Sequence, residues 1–212
     1  MKPHDKLIKE AALRHLKPIG GIQKGRSRVW LVDCAWYVAM IEFQPSSWSK
    51  GAYLNVGAHF LWCPTEHLSF DFGYRKEGHA EFVTEEQFAP EADALAQRAA
   101  LEVGLLRTKL ASPLNIHSMT PKNTGQEWID RLHRGISHAL ARQIDQAAFI
   151  FQSLLDSPHA PSSSNAEEYK RLLALLADLP AFEKRIIELI EVRRSALKLP
   201  PLNASPWGQA PG

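Results

Sequence analysis

Cysteine is scarce in this chain: Cys34 and Cys63 are the only two among 212 residues. Neither has a second cysteine close by, His133 and His138 stand five apart rather than four, and His117 falls outside the helical pattern. That spacing excludes a disulfide-dense scaffold and a zinc finger, and the thiols read as reduced and partly buried. A surplus of one charge is also missing, since 25 basic residues face 23 acidic ones for a net charge of +2. Dedicated nucleic-acid or membrane-surface binders show a basic stripe or a pI above about 9, so neither partner class is favoured. No apolar run approaches the ~18 residues of a membrane span, and Met1-Lys-Pro-His-Asp opens a charged amphipathic segment rather than a signal core. The expectation is a cytoplasmic protein with no membrane association and no cofactor.

What is present is a split in residue type. Of the 19 aromatic residues, 13 lie between Trp30 and Phe88, and the rest of the chain is largely leucine- and alanine-rich helical pattern. The split predicts an α+β fold, with an antiparallel sheet of four to five strands flanked by helices and followed by a C-terminal helical bundle. Residues 1–115 are expected to form the sheet domain, 116–199 a helical region packed on it, and 200–212, with four prolines and no period, a disordered tail.

Leu7, Ile8, Ala11, Ala12 and Leu16 recur at helical spacing after Pro3, with Pro18-Ile-Gly-Gly as a stop. From Arg28 the period changes to two. Strands are read at Arg28–Asp33, Trp36–Gln44, Ala52–Trp62 and Leu68–Arg75, with a short one at Ala80–Val83. The second of these is apolar on both faces and belongs at the centre of the sheet. A helix is read from Pro90 to about Ser112, residues 114–124 as a polar connector, and two helices over Trp128–Leu155 with a break near Asp145. A Pro- and Ser-rich surface loop at 156–165 precedes a helix around Tyr169–Leu179 and another around Phe182–Leu197, hinged at Pro180.

Three constellations could carry function. Asn55, His59, Asp71 and Arg75 fall at alternate positions on neighbouring strands, and in register they form one polar patch able to orient an anion or move a proton. The plainer reading is the solvated side of a half-buried meander. Asp33 with Glu42-Phe-Gln44 resembles the carboxylate and Glu-x-Lys core of restriction-type nucleases, with Glu10 as an extra ligand. Gln44 stands where that core needs lysine, and Asp33 precedes a turn, where aspartate serves geometry alone. No metal is assigned. Lys24, Arg26 and Arg28 with Trp30 and Trp48 resemble a nucleic-acid surface, but the near-neutral charge speaks against it. Trp48 differs from the core aromatics because polar turn residues flank it, which marks it as a candidate partner anchor.

Leu16-Lys-Pro-Ile-Gly-Gly-Ile-Gln-Lys-Gly-Arg-Ser, then Trp30, Ile41-Glu-Phe-Gln-Pro-Ser, Tyr53-Leu-Asn-Val-Gly and Phe70 to Arg75 follow in an order that resembles an uncharacterised bacterial domain-of-unknown-function family. The likeness covers roughly residues 5–115. It departs from the family at Gly21 to Lys24, where an aromatic is usual, and at Glu42, usually uncharged. The resemblance implies an α+β domain without an established activity, akin to small intracellular proteins of bacterial conflict systems that include toxin-neutralising partners.

The function expected from all this is non-catalytic protein binding, as an immunity protein, inhibitor or accessory component of a defence system. The partner is another protein, a toxin or defence-system component, and the contact residues are Trp48, Asn55, Lys24 and Arg26. The alternative is an enzyme acting on nucleic acid or a phosphorylated substrate through Glu42, His59, Asp71 and Arg75. A third reading is a subunit whose helical half docks on a larger assembly.

Overall fold

Pro3 locks the first φ of helix α1 (Pro3–Leu16), Asp5 lies in its first turn, and Arg14 and His15 lie in its last, so these three charges suit the helix dipole. Ile8, Ala11, Ala12 and Leu16 form its buried stripe. A 3-10 turn over Lys17–Ile19 and Gly20 in the left-handed region (φ 86°) end it. The structure, a computed structural model, describes residues 1–63, 67–118, 127–156 and 163–207. The chain divides into two units, one made of Met1–Phe60 with Leu68–Lys109 and the other of Leu61–His67 with Leu110–Gly212.

The first unit is α+β. Strands β1 (Gly21–Gln23), β2 (Val29–Asp33), β3 (Tyr37–Gln44), β4 (Gly51–Phe60) and β5 (Phe72–Glu81) form an antiparallel meander in sequence order. β3 is the middle strand, buried on both faces along most of its length. Helix α2 (Glu85–Lys109) crosses β3, β4 and β5, while α1 packs beside it and against β1. Lys76, in register with Leu54, reaches Glu102 of α2 at 2.6 Å, so α2 lies on the face carrying Trp30, Ile41, Phe43, Leu54 and Val56. Ala92, Ala96 and Ala99 let α2 approach that face closely. At Gly57, facing Gly73 on β5, a Cβ would lie 2.3 Å from the Phe72 carbonyl oxygen, so the two strands close only without side chains there.

Several boundaries differ from the sequence pattern, each for a physical reason. The glycine-rich stop after α1 contains β1, whose pairing with Trp30–Val32 overrides the poor strand propensity of Gly21. The two segments read at Leu68–Arg75 and Ala80–Val83 are one strand, because β5 is an edge and tolerates the polar Lys76-Glu-Gly-His run. α2 begins before Pro90. The Thr84 hydroxyl accepts from the Gln87 N–H at 3.2 Å and the Gln87 side chain accepts from the Val83 N–H at 3.1 Å, a reciprocal cap of the capping-box type.

The second unit is helical. Its elements are α3 (Glu127–Leu140), α4 (Ile144–Leu155), α5 (Ser163–Leu175) and α6 (Leu179–Ala196). α3 breaks from α4 at Arg142, which sits at φ 63°, close to the break read near Asp145. Gly135 lets α3 meet α4: a Cβ there would stand 2.9 Å from the Phe151 ring. Asp178 caps α6 through the Ala181 N–H at 3.1 Å, so Pro180 lies in its first turn and starts the helix. Trp62 donates through Nε1 to His133 Nδ1 at 2.9 Å within this unit. The connector at 114–124 and the loop at 156–165 lie largely outside the described residues, although Pro113–Ser118 form a 3-10 helix and Ser163–Asn165 already belong to α5. At the start of the tail, Arg194 Nε donates to the Pro200 carbonyl at 2.7 Å and Leu202 N to Glu191 at 2.6 Å. Residues 208–212 lie outside the described residues. Among the described residues, no helix is long and apolar enough to cross a membrane.

Candidate functional site

The β3–β4 hairpin ends its ladder at Gln44 and Tyr53, leaving Pro45–Lys50 as a polar loop. Ser46 Oγ accepts from the Trp48 N–H at 3.1 Å and from the Ser49 N–H at 3.4 Å, a serine turn that shapes the tip. Ser49 Oγ lies 3.3 Å from His79 Nδ1, tying the loop to β5. Gly51 closes it at φ 131°, where a Cβ would lie 2.0 Å from the Ala80 carbonyl oxygen. On this braced loop the Trp48 side chain is 93% exposed.

Beneath the loop Arg28 joins three segments. Its Nε donates to Asp5 Oδ1 at 2.7 Å, its Nη2 bonds the same carboxylate, and its Nη1 donates to the carbonyls of Gly51 at 2.8 Å and Phe43 at 3.3 Å. The first turn of α1, the start of β2 and the root of the hairpin are thereby held together. His4, on that first turn, is buried against the Phe82 ring at 5.4 Å, and its Nδ1 has no hydrogen-bond partner. Burial is the main cause that holds His4 below its ordinary 6.5, against the opposing pull of Asp5.

These pieces enclose an open groove of about 630 Å³. Its lining includes Lys2, His4, Arg26, Glu42, Trp48 and Lys50. The Asp5 charge is taken up by Arg28, whereas Lys2, Arg26 and Lys50 make no ion pair among the described residues. The uncompensated charge in the groove is therefore positive, with Glu42 as the opposing anion.

The polar residues expected on one sheet face occupy two places. At the hairpin end, Asn55 Nδ2 donates to Glu42 Oε2 and Gln44 Oε1, both at 2.9 Å, and Arg75 Nη2 donates to Gln44 Oε1 at 2.7 Å. The Arg75 guanidinium also lies 4.3 Å from the Tyr53 ring centre. Four residues further along β4, about 13 Å at ~3.3 Å per residue, His59 Nδ1 stands 3.0 Å from Asp71 Oδ2, with both side chains fully buried. Asp71 also accepts from the Phe60 N–H and the Ser69 hydroxyl, each at 2.7 Å. His59 shares the face of Asn55 by strand alternation, but its end of that face is buried rather than solvated, and Asp71 is committed to fastening the lead-in of β5 to the end of β4.

Lys24 and Arg26 lie on the β1–β2 turn, built by Ser27 Oγ donating to the Lys24 carbonyl at 2.7 Å and by Gly25 at φ 59°. Arg26 lines the groove and Lys24 does not. Asp33 accepts from the Ala35 N–H at 3.0 Å, its turn role. It pairs with Val38 while Glu42 pairs with Val29, so the two carboxylates stand at opposite ends of the β2–β3 ladder. Glu10 is ion-paired to Lys6 at 3.9 Å on the helix surface. Lys2, His4, Asp5 and Lys50 share no sequence signal; they come from two separated segments, which the Arg28 bonds to Asp5 and to Gly51 bring together.

Fold and site define an α+β protein with an aromatic-tipped, basic groove at one end of its sheet. No protein-family model matches the chain, and neither a curated protein nor a solved structure is significantly similar to it.

Proposed function

We propose that this chain is a non-catalytic protein-binding module whose contact surface is the β3–β4 hairpin loop, with Trp48 at its centre. The exposed indole is the observation that carries the reading. A tryptophan in solvent leaves about 2–3 kcal/mol of burial unrealised, and large aromatics beside pockets are the side chains that dominate protein interfaces. The bonds from Ser46, the Ser49–His79 contact and the Arg28 bond to Gly51 hold the loop in shape before any partner arrives, which lowers the entropic cost of binding.

An enzymatic reading through Glu42, His59, Asp71 and Arg75 has less support. Catalysis needs those groups to converge on one cavity, yet of the four only Glu42 lines the groove, and the others bond among themselves or within the strands. The partner class, a toxin or other component of a bacterial conflict system, rests on the resemblance of residues 5–115.

Affinity purification of the tagged full chain from its host, set against Trp48→Ala, tests the reading. A stoichiometric protein retained by wild type, lost with the variant and rebound as a purified component supports it. A partner held equally by both chains, or no protein partner at all, refutes it.

A further inference from the structure

The groove beside Trp48 carries a second message, about the chemistry of what binds there. Lys2 comes from the residue preceding α1, Arg26 from the β1–β2 turn and Lys50 from the β3–β4 loop, and all three are exposed. They reach one groove from three segments, and no carboxylate among the described residues neutralises them. Asp5, which could have done so, is held by Arg28. Glu42 sits on the sheet side with its Oε2 bonded to Asn55. The first turn of α1 adds its own partial positive charge, because Lys2 makes no side-chain cap. On the groove wall His4 is 95% buried with Nδ1 unpartnered.

Resting on the protein-binding reading above, we propose that this groove receives an acidic segment of the partner protein. Carboxylates of that segment sit between Lys2, Arg26 and Lys50, and an adjoining apolar side chain lies against the Trp48 indole. The alternation of charge and apolar contact follows from the lining, with cations on three sides and one large apolar surface at the rim. A nucleic-acid strand fits less well. Sequence-tolerant strand binding stacks successive bases on several aromatic platforms along a basic track, and this groove offers one exposed indole, a short set of cations and the Glu42 anion.

The test uses the full chain immobilised against a random displayed-peptide library, followed by titration of the selected peptide into wild type, Trp48→Ala and a triple variant, Lys2→Glu, Arg26→Glu, Lys50→Glu. All four positions are exposed, and far-ultraviolet circular dichroism confirms that the variants fold. The proposal expects a consensus of Asp or Glu beside an apolar residue. It also expects binding weakened at least about tenfold in the triple variant, and by a similar factor when ionic strength rises from about 0.05 to about 0.5 M. A neutral or basic consensus that depends on Trp48 but ignores the charge reversals overturns the acidic assignment and leaves the binding reading standing. Failure to select any peptide, or oligothymidylate bound by wild type and released by the triple variant, overturns the assignment outright.

Discussion

Arg28 bonds Asp5 through both Nε and Nη2, and so anchors the first turn of a helix to the start of a strand twenty-three positions later in the chain. The same guanidinium reaches the Gly51 carbonyl at 2.8 Å, so one side chain sets the spacing of the groove's walls. Arg28→Ala leaves a half-buried carboxylate and two backbone carbonyls without their donor. It is expected to cost about 2 kcal/mol of folding stability, in the range for lost charged hydrogen bonds. Denaturant unfolding measures it, and a loss under about 0.5 kcal/mol, the level of an ordinary surface change, would show that the brace is dispensable.

Trp48→Ala separates binding from stability. The side chain is exposed, so the change is expected to move stability by no more than about 0.5 kcal/mol. Trp62→Ala, at a position 1% exposed with its Nε1 bonded to His133, is expected to lose at least about 3 kcal/mol. Equal losses for the two variants in parallel thermal melts would contradict the placement of Trp48.

Glu102 is buried on α2 between Lys76 at 2.6 Å and Arg98 at 2.9 Å. Glu102→Gln removes the carboxylate that faces the largely buried Lys76 ammonium and is expected to cost about 3 kcal/mol. Arg98 is half exposed, and Arg98→Ala is expected to cost less than about 1 kcal/mol. Chemical denaturation of both variants checks the asymmetry; a larger loss for Arg98→Ala would mean that the outer member of the triad carries the stabilisation.

Acid should loosen the start of α1. Burial lowers His4 below its ordinary 6.5, with Arg28, Lys2 and Lys50 acting in the same direction and Asp5 against it. Below 6.5 the unfolded chain therefore takes up a proton that the folded chain resists, so stability present above that pH declines as pH falls and levels off once the folded imidazole protonates. Asp93, lowered by its bonds to Arg14 and His15, and Glu188, lowered by Arg185, contribute stability that is lost at still lower pH. His4→Gln should flatten the decline that begins below about pH 6.5 and leave the lower limb intact. An unchanged slope in urea midpoints across that window would remove His4 from the account.

His59→Ala and Asp71→Asn are expected to act on folding and leave partner binding by the folded fraction unaltered. Each removes one side of a fully buried pair, with an expected cost of about 2–3 kcal/mol. Peptide titration of the refolded variants at low temperature checks this, and a loss of affinity with intact circular dichroism would return the pair to the functional surface.

The sequence by itself determined the class of this protein. Period-two apolar runs with clustered aromatics and period-3.6 leucine and alanine stripes are local patterns, and each forces its own element wherever it falls. The central place of β3 was legible because Tyr37, Ala39, Ile41 and Phe43 alternate with Val38 and Met40, so neither face could be left to water. Trp48 was legible as an exposed side chain because its neighbours are turn formers. Tertiary structure alone decided what the polar residues do. A histidine and an aspartate at strand positions look the same whether solvated or buried, and only the β4–β5 register places His59 beside Asp71 inside the fold and Arg75 beside Gln44 outside it. The groove was invisible for the same reason. Its cations lie on three separated segments with no shared spacing, and they acquire a common field only when the Arg28 brace and the hairpin bring them to one end of the sheet.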